Sequence, residues 1–350
     1  MSGNPVPGSP GSGSPGSGSP VARTLRWIAL GALAIGVLAI LGDVLLLVFA
    51  ACLIAVVLVR ASRFVARHVG IRRGISLALL LVLLVAALAA ALWWRGPAMA
   101  TEAARLAGRL DDRLGEVRRA LDGTPIGAEI VSRVRDYLSN QPIAGATRGV
   151  ATATLGALGS LVVLLAASIY FAASPGLYVD WVLLLLPPSW RGRGREVLAA
   201  TGETLFWWFT GQLIDMLVVG ALSYAGLALL GVPLAGTLAL IAALLNFVPY
   251  VGAIAGAVPA VIVAFGLDTA LAAETAVVFL AIQTLEGNVI APLIQRRTID
   301  LPPVVTILSQ TVLGTLFGPA GLVLATPIAA ALMVAVRMVY VEDVLGDRQP

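Results

Sequence analysis

Lysine is missing from this sequence: all 23 basic residues among its 350 are arginine. Cysteine and histidine occur once each, as Cys52 and His68. A single cysteine excludes a disulfide within the chain and any cysteine-based metal site. A single histidine, set among loop arginines, argues against a Ser-His-Asp hydrolase, a zinc protease and a haem site. No metal and no cofactor is therefore expected. Charge is also scarce, at 12% of residues, where a soluble domain carries about a quarter. The net charge of +4 sits in loop arginines and implies no nucleic-acid partner. A phosphate loop of the kind GxxxxGK followed by Ser or Thr is absent, which argues against an ATP-driven pump.

What the chain does have is apolar sequence, 59% of residues. Several runs reach the roughly 20 residues that cross a bilayer. The expected fold is an all-α polytopic membrane protein, with the lipid bilayer as its first partner. Residues 1–20, a Gly/Ser/Pro repeat, read as a disordered tail. Residues 21–94 hold the first three spans and the Arg-rich loop "RASRFVARHVGIRR". The apolar stretch from Trp27 to Val59 would make a helix of roughly 50 Å, too long for one crossing. A turn is therefore expected at Gly42–Asp43, giving two short spans.

Residues 95–149 alternate arginines with acids, and Leu106, Leu110, Leu114, Val117 and Leu121 fall on one helical stripe. They read as an external amphipathic helical domain. Residues 150–203 hold a fourth span and an interfacial segment broken by Pro187–Pro188. Residues 204–340 form a transport core, and 341–350 a cytoplasmic tail. Arginines in residues 23–26, 60–73, 191–195, 296–297 and 337 mark the cytoplasmic side. Both termini are thus expected inside, with about eight spans in all.

Within 204–340 the apolar segments come short and in pairs. Val232 to Phe247 and Ala253 to Gly266 flank "PYVG". Pro303 to Phe317 and Leu322 to Met338 flank "GPAG", with Pro327 inside the second piece. Such pairs read as re-entrant hairpins or discontinuous helices. The expected backbone breaks are Pro249, Gly252, Gly287, Pro292, Gly318, Pro319 and Pro327.

Polar residues gather in the same region. In "QTLEGNVIAPLIQRR", Glu286 precedes Arg296 by ten residues, which is roughly 15 Å of helix, or half the hydrocarbon thickness. Gln283 shares its face at i−3, and Asn288 is close by. Pro292 deprives the carbonyl of Asn288 of its helical donor, and Pro249 does the same to Leu245, beside Asn246. In the fifth span Asp215 lies in an apolar run, with Gln212 at i−3. Charges at such depth usually face a bundle interior or a wet cavity. Asp215, Glu286, Gln212, Gln283, Asn288 and Asn246 are therefore the candidate transport-pathway and coupling residues. The same side chains would also serve to cap helices or to bond neighbouring ones.

The stretches "GQLIDMLVVGAL", "ALLNFVPYVGAIAGAVPA", "LEGNVIAPLIQRRTIDLPPVVTILSQ", "GTLFGPAGLVLATPIAA" and "YVEDVLGD" resemble the autoinducer-2 exporter (AI-2E) family of bacterial permeases. The resemblance is dense over about residues 200–345, and rests on layout over 21–175. It implies an inner-membrane secondary transporter of a small solute, not an enzyme. Some members of the family are linked to export of a quorum-sensing furanone, others to exchange of sodium or lithium for protons, and a homopentamer has been associated with it. Two other classes stand beside a transporter on the residues alone. An intramembrane aspartyl enzyme would need a GxGD pattern, which is absent. A non-transporting scaffold would tolerate replacement of every intramembrane polar residue.

Overall fold

The computed structural model describes residues 20–72, 74–83, 86, 149–290, 292–293 and 301–347, with side chains from residue 41 in the first stretch and from 159 in the second. The expected tail (Pro20 apart) and the expected external domain (Gly149 apart) lie outside the described residues. Two compact units divide the chain, residues 1–45 and 46–350. In the first, residues 20–45 are helical.

Among the described residues every regular element is helical. These are α1 (Pro20–Val69), α2 (Gly74–Leu83), α3 (Gly149–Ala173), α4 (Pro175–Leu184), α5 (Arg191–Leu229), α6 (Ala235–Leu245), α7 (Val251–Phe265) and α8 (Thr269–Leu285), the last running into a wide π-type turn at Glu286–Ile290. A helical stretch Pro303–Ala335 and a π-type segment Val336–Val344 follow. Among the described residues, length and hydropathy give four helical stretches that could cross a membrane, one of them 303–344 if taken as unbroken, or five if the bent pair α3 and α4 counts as one span.

The turn expected at Gly42–Asp43 does not form: α1 runs helically through both residues. A glycine inside a helix costs only about 1 kcal/mol against alanine. Breaking the ladder in an apolar setting exposes backbone groups at several kcal/mol each. Between α3 and α4 the chain does turn, by 88°, where Pro175 opens α4 with a fixed helical φ and no N–H to lose.

The paired short segments are hairpins. In the first, α6 stops at Leu245 because Pro249 has no N–H to continue the ladder. The Leu245 carbonyl is not left free, as the sequence suggested, but accepts the Val248 N–H at 3.0 Å. α7 then folds straight back. A Cβ on Gly252 would stand 1.8 Å from the Leu245 oxygen, and one on Gly256 2.8 Å from Ala242 Cα. At the tip, Tyr250 adopts φ 64 and ψ −57, and Val251 N–H donates to the Pro249 carbonyl at 2.8 Å. This is a γ-turn of the rare, strained kind.

The second hairpin hides inside Pro303–Ala335. Gly318, at φ 62 and ψ −146, divides this stretch into α9 (303–317) and α10 (319–335). The arms pack antiparallel: a Cβ on Gly321 would lie 2.1 Å from the Leu313 oxygen. Residues 303–344 therefore do not make one crossing. Pro327 is not a break, since only Gly318 leaves helical geometry. The ring fixes a φ that a helix accepts and removes a single bond.

Side-chain pairs fix the directions. Gly220 of α5 meets Ala243 of α6, and Gly226 meets Val278 of α8, so α6 and α8 both start beside the Leu229 end of α5. Small residues let backbones approach this closely without relying on water exclusion, which lipid does not supply. The second hairpin enters from the opposite end. Ala331 of α10 packs with Leu53, Leu205 and Trp208. At the start of α5, Arg193 donates to Asp343 at 2.9 Å, to Glu342 and Glu196 at 2.8 Å, and to the Met338 carbonyl at 3.1 Å.

Candidate functional site

The two hairpins meet midway along α5, and the polar residues meet there with them. Asp215 is buried on α5, and its Oδ2 accepts from Asn246 Nδ2 at 2.7 Å. Gln212, one turn earlier, donates through Nε2 to the Asn246 backbone carbonyl at 2.7 Å. Asn246 is the residue at which α6 ends, so its carbonyl is available to a side chain. The break beside Pro249 thus serves the site in a different way from the one the sequence suggested. The freed carbonyl is that of Asn246, and the donor is Gln212.

Glu286 comes from the far end of α8. Gln283 Nε2 donates to its Oε2 at 2.5 Å, which is the i,i+3 relation read from the sequence. Because α5 and α8 are antiparallel, the Asp215 and Glu286 carboxyl groups interact directly. Asp215 Oδ1 is buried and has no hydrogen-bond donor. No arginine among the described residues pairs with either acid. Two such carboxyl groups are stable side by side with a shared proton or a bound cation between them. No group of three or more His, Cys, Asp or Glu among the described residues is placed to hold a metal ion.

Other candidates fall elsewhere. Asn288 is exposed and donates to the Thr284 carbonyl of its own helix at 2.8 Å. It lines a shallow groove with Leu280, Thr284 and Val289, away from the acid pair. Gly287 sits in the π-type turn, which widens the helix instead of unwinding it. Pro292 is helical, and both its flanks, 291 and 294–300, include residues outside those described. Gly318 and Pro319 form the tip of the second hairpin, not a wall of the acid site.

The structure adds residues that the sequence reading passed over. Gln310 of α9 is 3% exposed, and its Nε2 donates to the Pro249 carbonyl at 3.0 Å. Thr326 of α10 lies 3.5 Å from the same nitrogen, and Thr306 is buried one turn before Gln310. The signal was present in "VVTILSQT", where Thr306 and Gln310 stand at i,i+4 within an apolar arm.

A broken hairpin that brings an amide against a buried acid at mid-helix is an arrangement found in membrane carriers, and the family match agrees. The model of the AI-2E family transporter covers residues 28–340. This chain belongs to the AI-2E transporter family. As a member of it, the chain is a multi-pass membrane protein. Relatives include "Putative transport protein YueF" of Bacillus subtilis, 35% identical over 148 residues, which is 42% of this chain and 40% of the relative. "Putative transport protein YrrI" of the same organism is 33% identical over 44% of this chain and 43% of its own length. "AI-2 transport protein TqsA" of Escherichia coli is 32% identical over 35% of this chain and 36% of its own. Each aligned stretch thus spans less than half of the relative it matches.

Proposed function

We propose that this family member is a secondary transporter of a small solute, energised by an ion gradient that acts at Asp215 and Glu286. The carrying observation is the buried Asp215 Oδ1, which has no donor and belongs to a carboxyl that faces a second one across two antiparallel helices. A buried acceptor left without a partner is costly, so the pair is built around something that comes and goes: a proton or a small cation. The first hairpin supplies a moving part, because its broken end holds Asn246, whose amide contacts Asp215. AI-2, for which the Escherichia coli relative is named, is the first solute to try. The reading places the protein in the bacterial inner membrane with both termini cytoplasmic, as a homo-oligomer of the pentameric kind implied by the family resemblance.

The test is transport by the full chain in liposomes, with pH and sodium gradients imposed separately. Asp215→Asn and Glu286→Gln keep side-chain size and remove the charge. Each variant is expected to insert and assemble as the parent does while losing gradient-driven flux. Full flux with unchanged proton and sodium dependence in both variants would make the acids structural.

A further inference from the structure

Tyr250 holds the tip of the first hairpin at φ 64, a region that a bulky side chain rarely occupies. Such a conformation persists only where surrounding groups over-determine it. One restraint is internal, the 2.8 Å bond from Val251 N–H to the Pro249 carbonyl. The other comes from a different hairpin, since Gln310 Nε2 donates to the same carbonyl oxygen at 3.0 Å. Both lone pairs of that oxygen are thereby engaged. Gln310 is itself buried, between the arm that carries it and Thr326 of the returning arm. Three residues before Pro249 stands Asn246, whose amide holds Asp215 and whose carbonyl receives Gln212.

We propose that Gln310 is a positioning residue: it clamps the strained tip of the first hairpin and through it sets the Asn246–Asp215–Gln212 contacts. The clamp rests on the proposed role of Asp215 only for its consequence, not for its existence. When the second hairpin shifts along α5, Gln310 leaves the Pro249 carbonyl. The γ-turn then loses its outside support, and Asn246 is released from Asp215. A displacement of the hairpin that enters from the Arg193 end is in this way delivered to an acid held by the hairpin that enters from the Leu229 end. The linkage also runs in reverse, because any ligand that pulls Asn246 away from Asp215 loosens the tip on which Gln310 rests.

The test is hydrogen exchange on the full chain in lipid nanodiscs, read on peptides that cover residues 244–254. Gln310→Leu fills the space without a donor, Gln310→Asn keeps an amide too short to reach, and Gln310→His returns an N–H at about the original reach. Leu and Asn are expected to speed exchange at the tip about tenfold, the loss of one buried hydrogen bond. His is expected to stay within about threefold of the parent. A merely space-filling role would give the opposite order, with Leu most protected. Parent-like exchange in Gln310→Leu, or exchange in Gln310→His as fast as in Leu, overturns the proposal. Should the Leu variant fail to fold, the Asn and His pair decides in the same way. Proton flux, read with a pH dye trapped in liposomes, separates the two readings. Faster tip exchange in the variants, together with no proton flux and no flux driven by an imposed sodium gradient in the parent, leaves the clamp standing and removes the coupling role of Asp215.

Discussion

Gly252→Ala adds one methyl group at the point where the first hairpin closes. The new Cβ would sit 1.8 Å from the Leu245 carbonyl oxygen, 2.5 Å from its carbon and 3.0 Å from Asn246 Cα. Ordinary contact begins at 3.4 Å, and every one of these neighbours is backbone. No rotamer change relieves the clash, so α6 and α7 must separate at the tip. Overpacking of a rigid site costs about 1–3 kcal/mol. Asn246 would move with Leu245 and lose its 2.7 Å bond to Asp215, a bond to a carboxylate worth about 1.5–3 kcal/mol. The sum is about 2.5–6 kcal/mol, which at about 2 °C per kcal/mol lowers the melting midpoint by about 5–12 °C. The assay is thermal unfolding in nanodiscs followed by tryptophan fluorescence. Gly287→Ala is the internal control, since nothing lies within 4 Å of a Cβ there, and it should melt within about 2 °C of the parent. A Gly252→Ala protein that melts and transports like the parent would refute the close-packed hairpin and the argument that the tip positions Asn246.

Further outcomes follow from the same contacts. Asn246→Ala removes the donor to the buried Asp215 Oδ2 while keeping the backbone carbonyl that Gln212 bonds, and is expected to cost about 1.5–3 kcal/mol and to abolish gradient-driven flux; unchanged melting counts against the network. Arg193→Ala removes donors to Glu342, Asp343 and the Met338 carbonyl. Limited proteolysis should then cut within Val336–Val344, and high salt should do the same to the parent in part, because these half-buried ion pairs are partly screened; a resistant segment in both cases would count against the Arg193 contacts as what holds Val336–Val344. Tyr250→Gly relaxes the positive φ at the tip and should be neutral or stabilising by up to about 1 kcal/mol; a clear loss of stability would mean that the ring, not the turn, shapes the tip. A single cysteine placed at position 122, with Cys52 replaced by serine, should react with an impermeant reagent from outside; reaction only after permeabilisation would reverse the arginine-based topology.

Much of the site was legible in the linear order because the bilayer makes polar residues conspicuous. Asp215 and Glu286 stand out as charges in apolar runs, and the partners Gln212 and Gln283 follow from helical spacing alone. "PYVG" and "GPAG" announced the two hairpin tips, because glycine and proline are where a helix can be stopped at low cost. Gly42–Asp43 misled for the complementary reason: a glycine permits a turn without requiring one, and only the backbone bonds of the continuous helix decide. Pro327 misled in the same manner. Gln310 and Thr306 carried no charge and so passed as ordinary members of an apolar arm.

The sequence by itself determined that this is a polytopic helical membrane protein, where its two hairpins turn, and which acids stand out in apolar segments, since these depend on composition and on spacing within single segments. Tertiary structure alone decided that Asp215 bonds to Asn246 rather than to a loop arginine, that Glu286 faces Asp215, and that Gln310 reaches the Pro249 carbonyl. Each of these joins residues from 31 to 71 positions apart (Asp215 to Asn246, Gln310 to Pro249 and Asp215 to Glu286). Periodicity orients a side chain around its own helix axis, but it does not say which helix lies opposite. That choice follows from the antiparallel packing of α5, α6 and α8, and from a hairpin that enters from the other end.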